Sequence, residues 1–172
     1  MRIKVGLILI GVMILVVGCN LANIIDSSPA IYKADQELKG DWFKKDLPQN
    51  GKYKLITAKN KEELLNDWSL EKNKPYYQEL KETDLSNRVA ILAYLGEMPS
   101  GGYGIQIDKV AKKDDKVLVK VKRVSPSPDD MVTMVITYPY DLITIDKDKF
   151  GSAEISKLDL VVVNQDGEVL NK

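Results

Sequence analysis

The run from Val89 to Leu95 constrains the fold more than any other stretch of this sequence. Every residue in it is apolar or aromatic, and Val89, Ile91 and Tyr94 are types that favour strands. Apolar side chains at every position, rather than at every second position, predict a strand that is covered on both faces. Gly96 ends the run. The chain is therefore expected to fold around at least one strand that lies inside the molecule.

A short glycine-rich loop follows this strand. Pro99-Ser100-Gly101-Gly102 supplies turn residues, because glycine adopts positive φ at little steric cost. Beyond the turn, Tyr103, Ile105 and Ile107 alternate with less apolar residues, which is the period of a half-buried strand. The two runs predict a β-hairpin with Tyr103 at the exit of its loop.

Short β-rich runs separated by turn residues make up most of the remaining sequence. Asn60 predicts a helix N-cap with Glu63 as its capping-box partner, and Pro75 predicts the start of a second short helix. Further strands are predicted at residues 53–57, 117–122, 132–138, 140–145 and 155–163. The expected fold class is α+β and mainly antiparallel β, a sandwich or sheet with one or two short helices on its N-terminal side.

The N-terminal residues have the layout of a secretory signal peptide. Arg2 and Lys4 precede an apolar stretch, Leu7 to Val17, that is too short for a retained spanning helix. Val16-Val17-Gly18-Cys19 resembles the lipobox of bacterial lipoproteins, which implies cleavage before Cys19 and a diacylglyceryl thioether on its sulfur. The alternative is an uncleaved anchor with an incidental cysteine. Both place the remainder of the chain outside the cytoplasmic membrane.

These observations predict three parts of the chain. Residues 1–18 are a lipoprotein signal peptide, residues 19–50 a tether, and residues 51–172 a single β-rich domain. Cys19 is the only cysteine, so no internal disulfide can form and the core must hold the fold. Two acyl chains on Cys19 would suffice for stable attachment to membrane lipid.

Composition excludes several classes of function. The sequence has no histidine, which removes Ser–His and Cys–His nucleophile pairs and imidazole metal sites. Its formal net charge is zero, so nothing favours nucleic acid as a partner. Ser100 does not lie in a G-x-S-x-G motif, and the adjacent Asp129-Asp130 pair lacks calcium-loop spacing. We therefore expect no catalytic residues, no metal site and no cofactor.

The segment from about residue 84 to residue 146 resembles the C-terminal domain family of PrcB-type protease-complex subunits. The resemblance rests on the strand ending in Leu95-Gly96-Glu97, the loop Pro99 to Tyr103, the strand Val117 to Val121, the proline-containing loop Ser125 to Pro128, and Tyr138-Pro139-Tyr140. Members are typically secreted or lipid-anchored. The resemblance implies an extracytoplasmic, non-enzymatic subunit that binds another envelope protein, a protease or its precursor.

A second resemblance concerns the glycine-rich loop alone. Pro99 to Tyr103 is similar to the Pro-Thr-Thr-Gly-Tyr loop of chagasin-type cysteine-protease inhibitors, which insert loops from one end of a β-sandwich into a protease cleft. The sequence lacks the Arg-Pro-aromatic motif of another inhibitory loop, since Tyr138-Pro139-Tyr140 has no arginine. Loop-based inhibition is therefore an alternative function.

Three segments form the predicted protein-contact site, because loops on rigid strands often carry recognition and tyrosine offers contact area at little entropic cost. The predicted contact residues are Pro99, Ser100, Gly101, Gly102, Tyr103, Pro126, Ser127, Pro128, Tyr138, Pro139 and Tyr140. The alternative is a structural or small-ligand-binding envelope lipoprotein in which these loops only close the fold.

Overall fold

The computed structural model describes residues 17–42, 51–66 and 75–171. The helices are α1 (Val17–Ser27), α2 (Ala58–Asn66) and α3 (Pro75–Glu82), with 3₁₀ turns at Lys147–Phe150 and Ile155–Lys157. The strands are β1 (Ala30–Lys33), β2 (Asp41–Trp42), β3 (Lys52–Ile56), β4 (Arg88–Tyr94), β5 (Gly104–Lys113), β6 (Lys116–Ser125), β7 (Tyr140–Asp146) and β8 (Asp159–Val163). The predicted α+β, β-rich class is confirmed.

Two sheets form a sandwich. The smaller has the order β3-β4-β7 and is antiparallel throughout. The larger has the order β1-β5-β6-β2, with β8 joining β6 as a parallel neighbour. The β5–β6 hairpin is the longest pairing and turns at Asp114, which has φ 54°. The mainly antiparallel character expected from the sequence therefore holds, apart from β8.

Strand β4 lies inside the molecule, as the sequence predicted. Its odd-numbered residues, such as Ile91, face the larger sheet and belong to the main core. Its even-numbered residues, such as Leu92, face a second core under α2 and α3, together with Tyr76 and Leu80. Burial on both faces explains why this strand is apolar at every position.

The outer face of the larger sheet is covered by α1. Ile25 is fully buried against Leu118 and Val163. Asp26 fixes the end of the helix, because its carboxylate accepts from Lys120 Nζ at 2.9 Å. The molecule thus has four layers: α2 and α3, the smaller sheet, the larger sheet, and α1.

Part of the span that was predicted as a tether is packed on the domain. Residues 21–33 contribute the buried face of α1 and strand β1, whose Ile31 and Tyr32 contact the main core. The sequence pattern is weak here because each element is short and buries only a few side chains. The boundary predicted for the domain at residue 51 remains a prediction, and residues 1–16 and 43–50 lie outside the described residues.

The predicted hairpin around the glycine-rich loop is wrong. Strands β4 and β5 lie in different sheets, and β4 pairs with β3 and β7 instead. Both edges of β4 are occupied, so the loop after it must cross from one sheet to the other. A continuous apolar run indicated burial correctly, but it contains no information about which strand lies at each edge.

Two other predicted strands differ in the structure. Residues 132–138 form no strand, and only Thr137 makes an isolated bridge, to Met98. The strand predicted at 155–163 begins with a 3₁₀ turn, so β8 starts only at Asp159. The N-cap of α2 also differs from the prediction. Asn60 is the third residue of α2, and its side-chain oxygen accepts from the backbone N–H of Thr57 at 2.6 Å. Asn60 therefore takes the role expected of Glu63.

None of the helices in the described parts of the chain is long and apolar enough to cross a membrane.

Candidate functional site: the loop end of the sandwich

Two crossover loops meet at one end of the sandwich. Residues 95–103 lead from β4 to β5, and residues 126–139 lead from β6 to β7. Met98 and Thr137 exchange both backbone hydrogen bonds, at 2.9 and 3.0 Å, and Gly101 N–H donates to Thr133 O at 2.8 Å. We call these two loops together the loop end. The structure thus brings together the segments that the sequence predicted as one contact site.

Gly102 is a closely packed point between the two loops. Its φ is +83°, and a Cβ at this position would lie 2.8 Å from Pro126 Cβ and 2.9 Å from Val132 Cγ1. A side chain would therefore be both strained and overlapped. Glycine is needed here for close approach as well as for the turn.

The predicted contact residues of the first loop differ in exposure. Pro99 and Gly102 are exposed and Gly101 is half-buried, whereas Ser100 is 8% exposed and its carbonyl accepts from Thr137 Oγ1 at 2.7 Å. Tyr103 is half-buried and packs against the main core. Much of this loop is therefore part of the framework of the loop end, and its contact role remains a prediction.

The second loop starts with a stiff turn. Pro126 and Ser127 are half-buried and Pro128 is exposed. The backbone N–H of Ser127 donates to the Asp130 carboxylate at 2.7 Å, while Asp130 N–H donates to Ser127 O at 3.0 Å. Asp130 thus caps the turn and does not form a carboxylate pair with Asp129.

The predicted contact residues at the end of this loop also stay close to the smaller sheet. Pro139 O accepts from Leu95 N–H at 2.9 Å. The Tyr138 hydroxyl donates to Glu97 Oε2 at 3.2 Å. The Tyr140 ring contacts Tyr76 of α3, with ring centroids 5.8 Å apart, and packs with Tyr138 against the second core.

The pKa of Tyr140, at this end of the smaller sheet, is strongly raised. Burial, together with the Glu79 carboxylate that accepts from its hydroxyl at 2.7 Å, raises the pKa of Tyr140 to about 12. The hydroxyl therefore stays protonated and serves as a donor to α3, which is a structural role.

An exposed apolar segment lies in the middle of the second loop. Met131 is fully exposed, and Met134, Val135 and Ile136 are 87%, 58% and 57% exposed. We call these four residues the exposed apolar segment. The sequence analysis missed it, because an apolar run of this length predicts a buried strand. The available signal was its setting, between Asp129-Asp130 and Pro139, with methionines where a buried strand favours β-branched residues.

The backbone of this segment is open. Within the described parts of the chain, the amides of Met134, Val135 and Ile136 make no hydrogen bond, although Thr133 and Thr137 on either side are bonded to the first loop. Exposed apolar side chains and unpaired amides therefore occur together on a segment whose two ends are fixed.

The charges of the loop end have one sign. Residues 95–103 and 126–139 include Glu97, Asp129 and Asp130 but no lysine or arginine, although the whole chain has equal numbers of basic and acidic residues. The two loops therefore contribute three carboxylates, here called the acidic rim, and no cationic side chain.

Two polar side chains, the half-buried Asp141 and the buried Arg123, join the sheets beneath the loop end. Asp141 of β7 accepts from the backbone N–H of Ile107 at 2.7 Å, where β5 has an irregular register. Burial raises the pKa of Asp141, and the negative charge of Glu79 raises it further. Arg123 is 6% exposed and hydrogen-bonds Tyr53, whose pKa is raised by burial. Both groups therefore connect the two sheets.

A groove lies beside α3, at the end of the smaller sheet opposite the loop end. It has a volume of about 720 Å³ and is lined by Glu79, Asp84, Arg88 and Asp146 with several neutral residues. Arg88 Nε is 3.3 Å from Asp146 Oδ1, so part of the charge is neutralised internally. Among the described residues, no group of acidic or cysteine side chains is arranged to hold a metal ion.

Comparisons with known proteins bear on part of the chain. No solved structure matches it. An uncharacterized protein of Methanocaldococcus jannaschii is 35% identical to it over 75 residues, which is 44% of this chain. The match spans 43% of that relative's length. Residues 89–146, which hold β4 to β7 and both loops of the loop end, match the family described as PrcB C-terminal, as the sequence resemblance had indicated.

Proposed function

We propose that this chain is a lipid-anchored, extracytoplasmic accessory protein that binds another envelope protein, a protease or its precursor, and has no catalytic activity of its own. The PrcB C-terminal match over residues 89–146 supports an accessory role in a protease complex. The match includes the whole loop end, so the part of the chain that matches this family also holds the exposed apolar segment.

The observation that carries the proposal is the exposed apolar segment. Single exposed apolar residues are ordinary, but neighbouring ones within a few positions mark interaction sites. Met131 and Met134 add a property of their own, because the flexible thioether side chain adapts to differently shaped partners. The paired backbones of Met98 and Thr137 hold this segment on a rigid base.

The absence of catalysis is supported by chemistry. The sequence has no histidine, and the predicted loop serine, Ser100, is buried with its carbonyl bonded to Thr137. A buried serine without a neighbouring base is not an activated nucleophile. Asp130 caps a turn, which leaves Asp129 without a partner carboxylate for acid–base work.

Anchoring would attach the lipid close to the folded domain. Cys19 lies within α1, and Leu21, only two residues later, packs beside the buried Ile25. Cleavage before Cys19 would leave this docked part of the helix intact. The lipid would then hold the domain near the membrane surface.

The test is capture of a partner from native membranes by the full-length protein after cross-linking. The bait variant is Met131→Ser with Met134→Ser and Ile136→Thr, which changes only exposed side chains. The control variant is Lys113→Ser with Lys116→Ser, in the β5–β6 turn at the other end of the sandwich. We expect wild type and the control variant to capture an envelope protease or its precursor, and the bait variant to lose it. Equal capture by all three proteins, or capture of no protease, contradicts the proposal.

The second candidate function is loop-based protease inhibition, since two loops meet at one end of the sandwich. The packing of Ser100 and Tyr103 argues against it, because the loop cannot enter a cleft without leaving the core. Inhibition of a papain-type protease at micromolar protein concentration, abolished by Pro99→Ala, would favour this candidate instead.

A further inference from the structure

We infer that the partner docks on the exposed apolar segment through an extended stretch that combines apolar with basic side chains. This inference rests on the proposed function and specifies the chemistry of its partner. It uses three features of the loop end: apolar exposure, charge of one sign, and open backbone amides.

The exposed apolar side chains favour a partner that contributes apolar residues. Met134 is 87% exposed, and Val135 and Ile136 are each more than half exposed. Apolar area removed from water stabilises a complex by roughly 25 cal/mol per Å² before the costs of association. Side chains of the partner that cover these three residues would therefore supply the main attraction.

Charge of one sign calls for basic partner residues. Glu97, Asp129 and Asp130 are exposed, and no lysine or arginine lies in either loop. Lysine or arginine on the partner would gain from this rim, whereas acidic residues would be repelled. The attraction would weaken as salt increases, because the rim is open to solvent.

The open backbone calls for an extended partner. The amides of Met134, Val135 and Ile136 make no hydrogen bond within the described residues. An extended chain can donate to and accept from such groups, as in strand addition to a free edge. A helical partner has already paired its own backbone and could not use them.

The same charges disfavour two other occupants. An anionic membrane surface would face three carboxylates on the rim. A second copy of this chain, docked loop end to loop end, would bring two acidic rims together. We therefore treat lipid and self-association as outcomes of the test.

The experiment uses full-length protein in nanodiscs of zwitterionic lipid and two synthetic peptides. Both peptides have the same alternating valine and isoleucine residues, with lysine at the intervening positions in one and glutamate in the other. Wild type is expected to bind the lysine peptide at least tenfold more tightly, with affinity falling as salt rises. The variant Glu97→Lys with Asp129→Lys is expected to prefer the glutamate peptide. Asp130 is left unchanged because it caps the turn.

A second measurement identifies the surface used. Mild peroxide oxidises exposed methionines, so Met131 and Met134 report whether the segment is covered. The lysine peptide is expected to slow their oxidation severalfold. Equal affinity for both peptides, binding of neither, or a preference of wild type for the glutamate peptide would overturn the inference. Protection by anionic nanodiscs alone, or by self-association alone, would overturn it as well.

The capture experiment separates this failure from that of the proposed function. One outcome would support the accessory role and refute the basic partner stretch. In that outcome, the protease is lost from the variant at Met131, Met134 and Ile136, but it is still captured by the variant at Glu97 and Asp129. A reduction of capture by both variants is the expected result.

Discussion

Gly102 shows how one residue determines the shape of the loop end. Its positive φ and its contact with Pro126 and Val132 let the two loops approach to van der Waals distance. The sequence singled out Gly101 and Gly102 as parts of a hairpin turn, which is wrong, and of the two only Gly102 adopts the positive φ that glycine allows. Local conformation could be predicted from residue type, whereas the neighbour across the loop could not.

The variant Gly102→Ala is expected to be less stable than Gly151→Ala. Both residues have positive φ, at +83° and +67°, so both variants bear backbone strain of about 1–3 kcal/mol. Only Gly102 also has neighbours within contact distance, and overpacking adds about 1–3 kcal/mol. Urea unfolding of both variants gives the difference. Equal losses of unfolding free energy would show that the loops are not packed as described.

Asp141 and Asp84 should contribute to the free energy of unfolding with opposite dependences on pH. Burial raises the pKa of Asp141 above the ordinary 3.8, so the folded state retains its proton as pH rises through that value. Its contribution to stability is therefore present in acid and lost as pH rises through the folded pKa. Hydrogen bonds from Ser86 lower the pKa of Asp84, so its contribution is present above 3.8 and lost as pH falls.

The measurement compares Asp141→Asn and Asp84→Asn with wild type by urea unfolding at several pH values between 3 and 7. The stability of wild type relative to Asp141→Asn is expected to fall as pH rises. Relative to Asp84→Asn, it is expected to rise over the same interval. Slopes of the same sign for both variants would contradict the burial of Asp141 between the sheets.

Among the elements, β4 could be predicted from its sequence and the segment 131–136 could not. Both are apolar runs, but β4 has a partner strand at each edge and a core on each face. The second run is flanked by Pro128 and Pro139 and follows two acidic residues, so it stays outside. An apolar pattern indicates that a segment favours burial, and it does not show whether the fold has room for it.

Helix α1 docks on the larger sheet through a small buried face. Ile25 provides its contact with Leu118 and Val163, and truncation of a buried isoleucine to alanine costs about 2–5 kcal/mol. Ile25→Ala is therefore expected to release α1 while leaving β4 intact. Hydrogen exchange should show faster exchange in residues 17–27 and unchanged protection in residues 88–94.

The control for this prediction is Asn23→Ala, on the exposed side of the same helix. It should leave the exchange of α1 nearly unchanged. If Ile25→Ala speeds exchange equally in β4, the helix is part of one cooperative unit with the sandwich, and the description of α1 as a separately docked layer is wrong.

The whole molecule is a sandwich with a marked difference between its two ends. One end has the β5–β6 turn and a polar groove, and the other has two packed loops, an acidic rim and the exposed apolar segment. The sequence predicted the fold class, and it singled out loop segments that lie close together in the structure. It did not predict that Ser100 and Tyr103 would be packed inward and the exposed apolar segment outward, because that depends on long-range pairing of the two loops.

The most direct test of the account places a photo-crosslinking amino acid at Met134, and in a second protein at Lys113, both in full-length protein within native membranes. Strands β5 and β6 are each ten residues long, so about 30 Å separates the two ends. We expect a cross-link to one extracytoplasmic protease, or its precursor, from position 134 and none from position 113. A cross-link from position 113 alone, or none from either, would contradict a binding site at the loop end.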